Sequence, residues 1–584
     1  MKNIFKGFIA LFVIAIATII IVPNVLANIA STDKGTITVS GIDDTDHKTV
    51  TVTAYRLMDV DFDYDTQQPK EPVYKWVAGV QQWVRANFSD YIGTDGRVTE
   101  KFNSSLSAKK RAEFYDKLAA AIKGGTVSVS EAGHRTGNGN IDGLDMGNYL
   151  VLIENGIKVY RPSAVNVVPE LVTETVDGET TKSWKMTSPA EIELKKSDPQ
   201  IDKKVQAKDS TGNATDELQT YIGKELVYSI VVDIPKYPDN ATYKNLKISD
   251  TLSDGLTFGK DVKVYDVSSV ASPKVADVAT YTPITSELAS YYTESNNGFV
   301  YNFTNTDYTK VFITPATETE ESTLKYSKIF IVYSATVNKD AVVSTDGNPN
   351  NAKLEYNNNP YKDDVFKVEP DVVKVFTYGI KIHKFRKDTS TSPVTYPTLG
   401  GATFQITDVT GNTAGTANTV LEFVMEEEGV YHLAVEGEEG VTSKIVGKAS
   451  DGTVIVKGLA EGTYQVEETK APDGYQKVQT KYSITITDTR TCEDKTNGCG
   501  EDYTEGDLRG IVSDPTPARL VPNADPYTPV DGLVDQDIIN NAFFELPVTG
   551  GVGTLIFSVL GIVFMGIAIS LVRSIFKNKN VENI

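Results

Sequence analysis

The chain has 584 residues, with 57 Lys and Arg against 78 Asp and Glu and a formal net charge of −21. That length exceeds a single hydrophobic core and predicts several domains. The acidic balance excludes nucleic acid as a partner and fits a soluble, self-repelling extracellular surface.

At the N-terminus Lys2 and Lys6 precede an apolar run from Phe8 to Val22 and a small-residue site near Val25-Leu26-Ala27. This layout predicts a secretory signal peptide over 1–27. A first domain is expected over 31–194. Gly35-Thr-Ile-Thr-Val39, Thr49-Val-Thr-Val-Thr-Ala54 and Tyr149-Leu-Val-Leu-Ile153 alternate as strands do. Between them Trp76, Val80, Trp83 and Val84 fall at helical spacing, as do Phe114, Leu118 and Ile122 before Gly124-Gly125. The reading is a β framework with inserted helices, its Trp and Phe residues forming core.

A second domain is expected over 195–373. Short alternating runs such as Leu226-Val-Tyr-Ser-Ile-Val-Val232, Leu246-Lys-Ile248 and Lys328-Ile-Phe-Ile-Val-Tyr333 are punctuated by Asn, Gly, Pro and Asp. That grammar predicts a β-sandwich. A third domain, 374–545, follows it and contains Gly462-Thr-Tyr-Gln-Val-Glu-Glu-Thr-Lys-Ala-Pro-Asp-Gly-Tyr475. No low-complexity stalk interrupts the series, so a rod of tandem sandwiches is expected. The two cysteines, Cys492 and Cys499, lie in one short loop. In an exported chain they are expected to close it as a local disulfide, the alternative being two free thiols. Neither outcome ties the domains together.

The C-terminal segment 546–584 begins with Leu546-Pro547-Val548-Thr549-Gly550. An apolar run from Gly551 to Val572 follows, then Arg573, Lys577 and Lys579. The run is long enough to span a bilayer core, and the basic residues form a cytoplasmic stop. Together with the N-terminal segment, the arrangement resembles the cell-wall sorting signal of Gram-positive surface proteins. The resemblance implies that a sortase cuts between Thr549 and Gly550 and joins the threonine to an amine.

Alternation also brings polar groups into predicted cores. In the third domain Ile380, Ile382 and Lys384 share a face, as do Tyr464, Val466 and Glu468. Acidic residues are rarely buried unpaired. The last strand offers Asn540 in phase with Ile538, or Asn541 in phase with Ile539. In the second domain the matching sets are Ile201, Lys203 and Val205; Leu246, Ile248 and Asp250; and Asn350, Ala352, Leu354 and Tyr356. A one-residue slip would substitute Lys204 and Asn351.

The Tyr464–Glu468 strand with its Ala-Pro-Asp-Gly-Tyr turn looks like the E-box strand of collagen-adhesin B-type immunoglobulin-like domains. Those domains form intramolecular Lys–Asn isopeptide bonds. The second domain resembles the A-type domains of pilin shafts, in which Asp commonly replaces Glu. The resemblance implies bonds Lys203–Asn350 and Lys384–Asn540, with Asn541 as the open alternative, promoted by Asp250 and Glu468. Burial lowers a lysine pKa and raises that of a carboxyl group, so a neutral amine can meet a carbonyl polarised by a protonated acid. Confinement in the fold supplies the effective concentration for amide formation with loss of ammonia. The first domain offers no inward lysine in Thr36-Ile-Thr-Val-Ser40 and has Ile153 in the acid's place, so no bond is expected there.

Polymeric pilins of this group carry a subunit-linking lysine in a Trp-led motif ending Tyr-Pro-Lys. The corresponding stretch here runs from Trp184 to Lys195-Lys196 and lacks the Tyr-Pro. Lys195 and Lys196 are the candidates for the link, against the alternative of solvated interdomain charges.

The resemblance implies a structural shaft subunit of a sortase-assembled pilus, exported and covalently anchored to the cell wall. Its expected partners are pilus-specific and housekeeping sortases, further pilin subunits, peptidoglycan and host extracellular matrix. The alternative is a wall-anchored minor pilin or adhesin. No cofactor and no metal ion is expected, and the only chemistry anticipated is a single self-reaction per domain. The four histidines, His47, His134, His383 and His432, show no His-Glu-x-x-His spacing, and no Gly-x-Ser-x-Gly elbow occurs. His383 alternates outward beside Lys384 and is expected at the surface.

Overall fold

The computed structural model describes residues 29–46, 48–103, 106–176, 179–186, 189–317, 320, 322–343, 346–363, 367–487, 532–543 and 552–579. The expected signal peptide, Cys492, Cys499 and the motif Leu546, Pro547, Thr549 and Gly550 lie outside the described residues. The chain is mostly β, with immunoglobulin-like sandwiches in tandem, and it divides into two compact units at Thr377–Tyr378.

The first unit begins with the strand Gly35–Ser40, which buries Ile37 and Val39 by period-two alternation. It lies between Ala190–Glu193, to which it runs parallel, and Gly139–Leu144, to which it runs antiparallel. A second sheet orders Gln68–Trp76, Thr51–Asp63, Gly147–Glu154 and Ser163–Val167. The long strand Thr51–Asp63 serves two cores. Val52 and Ala54 pack with Ile37, Val39 and Ile192, whereas Leu57 and Met58 pack with the helical residues Val80, Val84, Phe114 and Leu118.

The helices Ala78–Asn87 and Ala108–Lys123 carry the expected apolar stripes. Ser107 caps the second, its hydroxyl accepting from Lys110 N at 3.3 Å. Trp76 departs from expectation. It ends the strand Gln68–Trp76, and its fully buried ring meets Phe102 and Phe114 from the sheet side. Its helical spacing is coincidental, because the chain turns at Val77 before the helix begins.

Two six-stranded sheets form the sandwich that follows in the same unit. One orders Ile201–Ala207, Glu225–Asp233 and Lys328–Val337 from its edge; the other places Asn348–Tyr356 between Lys367–Phe376 and Leu246–Leu252. Polar contacts join the two parts of the unit. Tyr356 donates its hydroxyl to Ile157 O at 2.7 Å, and Lys158 pairs with Asp43 at 2.7 Å and also with Asp198. Tyr361, on the connection between Asn348–Tyr356 and Lys367–Phe376, is buried in the core that holds Trp76.

In the second unit one sheet orders Phe423–Glu427, Val430–Leu433, Val454–Leu459, Tyr378–Arg386 and Leu533–Asn540. The other contains Thr403–Asp408, Gly462–Lys470 and Tyr482–Ile486. The helix Val552–Lys579 covers the C-terminal apolar run, with side chains described over 558–574.

Candidate functional site

In the first unit's sandwich, alternation turns Lys203, Asp250 and Asn350 inward, and each is 0 % exposed. Lys203 comes from the edge strand of one sheet. Asp250 and Asn350 come from neighbouring strands of the other, where Asp250 faces Ala352 and Leu252 faces Asn350. The lysine therefore crosses the gap between the sheets. Asp371 of the opposite sheet steadies the edge strand by accepting from Lys203 N at 2.6 Å.

Lys203 Nζ pairs with Asp250 Oδ2 and donates to the Tyr333 hydroxyl at 3.1 Å. Tyr333 donates to Asp250 Oδ1 at 2.7 Å and accepts from Asn350 Nδ2 at 2.8 Å. Aromatic rings wall the site. The Lys203 nitrogen lies 5.3 Å from the centre of the Tyr228 ring and 5.7 Å from that of Tyr333. Burial pushes the Lys203 amine below the ordinary lysine range, against the opposing pull of Asp250, and pushes the Asp250 carboxyl up. Both shifts favour a neutral amine beside a neutral acid.

The alternates are placed elsewhere. Lys204 is half-buried on the other face, its amine 2.6 Å from both Asp202 and Asp216. Asn351 likewise falls on the other side of its strand, where burial is partial.

The second unit assembles the same three group types by a different route. Lys384 and Asn540 stand on adjacent parallel strands of one sheet, and Glu468 reaches them from the facing sheet. Lys384 Nζ is 3.3 Å from Glu468 Oε1, and Asn540 Nδ2 donates to Glu468 Oε2 at 3.0 Å. Asn540 Nδ2 also donates to Gln476 O at 2.6 Å, and Val478 N donates to Glu468 Oε2 at 2.6 Å. Burial outweighs the pull of Glu468 and lowers the Lys384 amine from 10.5 to about 8. Gly452, at φ +76°, makes room for this lysine. A Cβ there would meet Leu399 O at 2.1 Å and Lys384 Cβ at 2.8 Å.

Asn541 follows the end of the last strand and is exposed; its backbone carbonyl accepts from Gln476 N at 2.9 Å. His383 also departs from expectation. It is on the face opposite Lys384 but only 20 % exposed, because its ring pairs with Asp535 of the neighbouring strand.

Both sites leave the same atom unmet. Asn350 Oδ1 and Asn540 Oδ1 are buried without a hydrogen-bond partner. An orphaned buried carbonyl costs about 1–3 kcal/mol. A neutral amine, a protonated acid and an amide carbonyl are the components of amide exchange.

Sequence reasoning missed Tyr333. Its run Lys328-Ile-Phe-Ile-Val-Tyr333 reads as an apolar strand, and the only available signal was that a buried tyrosine hydroxyl needs a partner. The candidate linking lysines also separate. Lys195 is exposed, whereas Lys196 Nζ donates to Gly41 O at 2.9 Å and pairs with Asp43. Among the described residues, no group of three or more His, Cys, Asp or Glu is placed to hold a metal ion.

Residues 380–498 match the SpaA prealbumin-like fold domain, and residues 222–360 match the Gram-positive pilin backbone subunit 2, Cna-B-like domain. The chain is 25 % identical over 467 residues to the trypsin-resistant surface T6 protein of Streptococcus pyogenes serotype M6, covering 71 % of this chain and 75 % of that protein. Among solved structures, the T6 backbone pilin of serotype M6 Streptococcus pyogenes aligns with a TM-score of 0.50 at 21 % identity, over 88 % of this chain and 99 % of that one. The full-length major pilin SpaD from Corynebacterium diphtheriae aligns at 0.41 and 16 % identity, over 88 % and 99 %.

Proposed function

We propose that this chain, a Gram-positive backbone pilin by the domain families it carries, is a covalently polymerised shaft subunit locked by two internal Lys–Asn isopeptide bonds. One observation carries the reading: a fully buried lysine, acid and asparagine meet twice, in separate cores and through different strand arrangements. A lone buried lysine is costly. Two of them, each set beside an acid and an unmet amide carbonyl, are accounted for by a reaction that removes the charge.

The net reaction is the same at both sites. The carboxylate takes a proton from the lysine ammonium, the neutral amine nitrogen attacks the asparagine Cγ, a second proton passes from that nitrogen to Nδ2, and the Cγ–Nδ2 bond breaks with loss of ammonia. Asp250 serves Lys203 and Asn350; Glu468 serves Lys384 and Asn540. Each of the two sites reacts once, so the chain is a structural protein and not an enzyme with turnover. The bonds tie strands distant in sequence, which restricts the unfolded chain as a disulfide does.

Polymerisation uses the other two features. A sortase acyl-enzyme formed at Thr549 is resolved by the amine of Lys195, which is exposed where Lys196 is held. The final subunit is transferred to peptidoglycan, and the shaft extends the surface available for contact with host matrix. Intact mass of the mature ectodomain tests the internal bonds, since each removes ammonia, about 17 Da. Denaturing gels of wall extracts test assembly. A high-mass ladder that depends on the pilus-specific sortase supports the shaft, whereas a single wall-linked band makes the protein a minor pilin or adhesin.

A further inference from the structure

Amide exchange requires a proton to pass from the incoming nitrogen to the departing one. In the second unit one carboxylate touches both, since Glu468 lies 3.3 Å from Lys384 Nζ through Oε1 and 3.0 Å from Asn540 Nδ2 through Oε2. Asp250 is one methylene shorter. It meets Lys203 but, among the described residues, shares no hydrogen bond with Asn350. The Tyr333 hydroxyl fills the gap, 3.1 Å from Lys203 Nζ, 2.8 Å from Asn350 Nδ2 and 2.7 Å from Asp250 Oδ1.

We propose that Tyr333 is a catalytic residue of the first unit's site, relaying a proton from the lysine nitrogen to the departing amide nitrogen. The inference rests on the reading that this site joins Lys203 to Asn350. The ammonium of Lys203 first gives one proton to Asp250 Oδ2. The neutral Nζ then bonds to Asn350 Cγ. Once Asp250 is protonated, it no longer requires the Tyr333 O–H as a donor, and that hydrogen can turn toward Nδ2. Tyr333 gives this proton to Nδ2 and takes one from Nζ, so it ends unchanged. The Cγ–Nδ2 bond breaks and ammonia leaves with the two amide hydrogens and the relayed one. The amide keeps one hydrogen on Nζ, and Asp250 remains protonated.

The surroundings suit a relay that holds its own proton between transfers. Tyr333 is fully buried, and burial with Asp250 alongside holds its phenol well above the ordinary tyrosine value. Its ring is fixed independently of the hydroxyl, stacked on Tyr228 at 5.5 Å and 14° and edge-on to Phe299 at 5.3 Å. Tyr333→Phe therefore removes the relay and keeps the packing.

The test follows newly made ectodomain from cell-free synthesis, quenched in acidic denaturant at intervals, with ammonia loss assigned to each site by peptide mass. The wild type should lose ammonia at both sites. Tyr333→Phe should slow loss at the Lys203–Asn350 pair on the order of 100-fold, the usual worth of a positioned proton donor, with the Lys384–Asn540 pair unaffected. Replacement of Tyr333 by 3,5-difluorotyrosine, similar in shape but more acidic, should move the rate–pH profile of the first site to lower pH. A Phe variant that keeps pace with wild type, or a fluorinated protein with the wild-type profile, overturns the relay and leaves the crosslink reading standing. A wild type without ammonia loss at Lys203–Asn350 overturns both.

Discussion

Lys384 stands on the first strand of the second unit and Asn540 on the last, and these strands run side by side in parallel with Arg386 opposite Asn540. In the first unit's sandwich, Lys203 and Asn350 belong to different sheets. A bond at the first pair ties neighbouring strands of one sheet; a bond at the second ties the two sheets together. The two crosslinks therefore resist different distortions, strand separation in one case and opening of the sandwich in the other.

Glu468→Ala removes the acid that contacts both Lys384 and Asn540. The variant should fold but show no ammonia loss in the peptide pair bearing those residues. Closing a loop of this length is worth on the order of 5 kcal/mol. The second unit should accordingly melt earlier and yield to protease sooner than wild type. Persistence of the ammonia loss would remove Glu468 from its assigned role.

Asp250→Ala should abolish the Lys203–Asn350 bond and leave Lys384–Asn540 intact, because distant cores act independently. Peptide mass mapping reads both sites in one sample. The variant also strands a buried lysine, so the sandwich should lose several kcal/mol beyond the missing crosslink.

The Lys384 amine gives a pH dependence with a defined sign. In Asn540→Ala, which cannot react, this amine titrates at about 8 in the fold against 10.5 ordinarily. Between those values the unfolded chain binds more protons, so stability rises with pH, by on the order of 3 kcal/mol across the window. Denaturant melts at pH 7.5, 9 and 10.5, all approximate settings bracketing that window, measure the slope. A flat or falling profile would show that Lys384 is not held neutral by burial. In the wild-type sequence, bond formation in newly folded protein should accelerate through the same lower limit, since only the neutral amine attacks.

Lys195→Arg should abolish the polymer ladder while monomer still reaches the wall through Thr549. Lys196→Arg should leave the ladder in place, because the Lys196 amine is held by Gly41 O and Asp43. Gels of wall extracts from the two single variants decide between them. Loss of the ladder in the Lys196 variant alone would exchange the assignment.

Much of this protein is legible in its residue order. Period-two alternation pointed Asp250, Lys384 and Glu468 inward, because side chains on a strand can face only two ways, and left Lys203 or Lys204 and Asn350 or Asn351 open to a one-residue slip. Alternation is silent on where a strand ends, and so Asn540 and Asn541 stayed open. Tertiary structure separated them by ending the last strand at Asn540 and leaving Asn541 exposed. It likewise set Lys204 between Asp202 and Asp216, and Lys196 against Asp43, pairings that depend on segments meeting in space. Tyr333 was beyond local reading altogether. Its place beside Lys203, Asp250 and Asn350 exists only when two sheets close on one another, 130 residues separating it from the lysine it contacts. Residue order sets which face a side chain takes; which side chains share that face's interior is settled by packing.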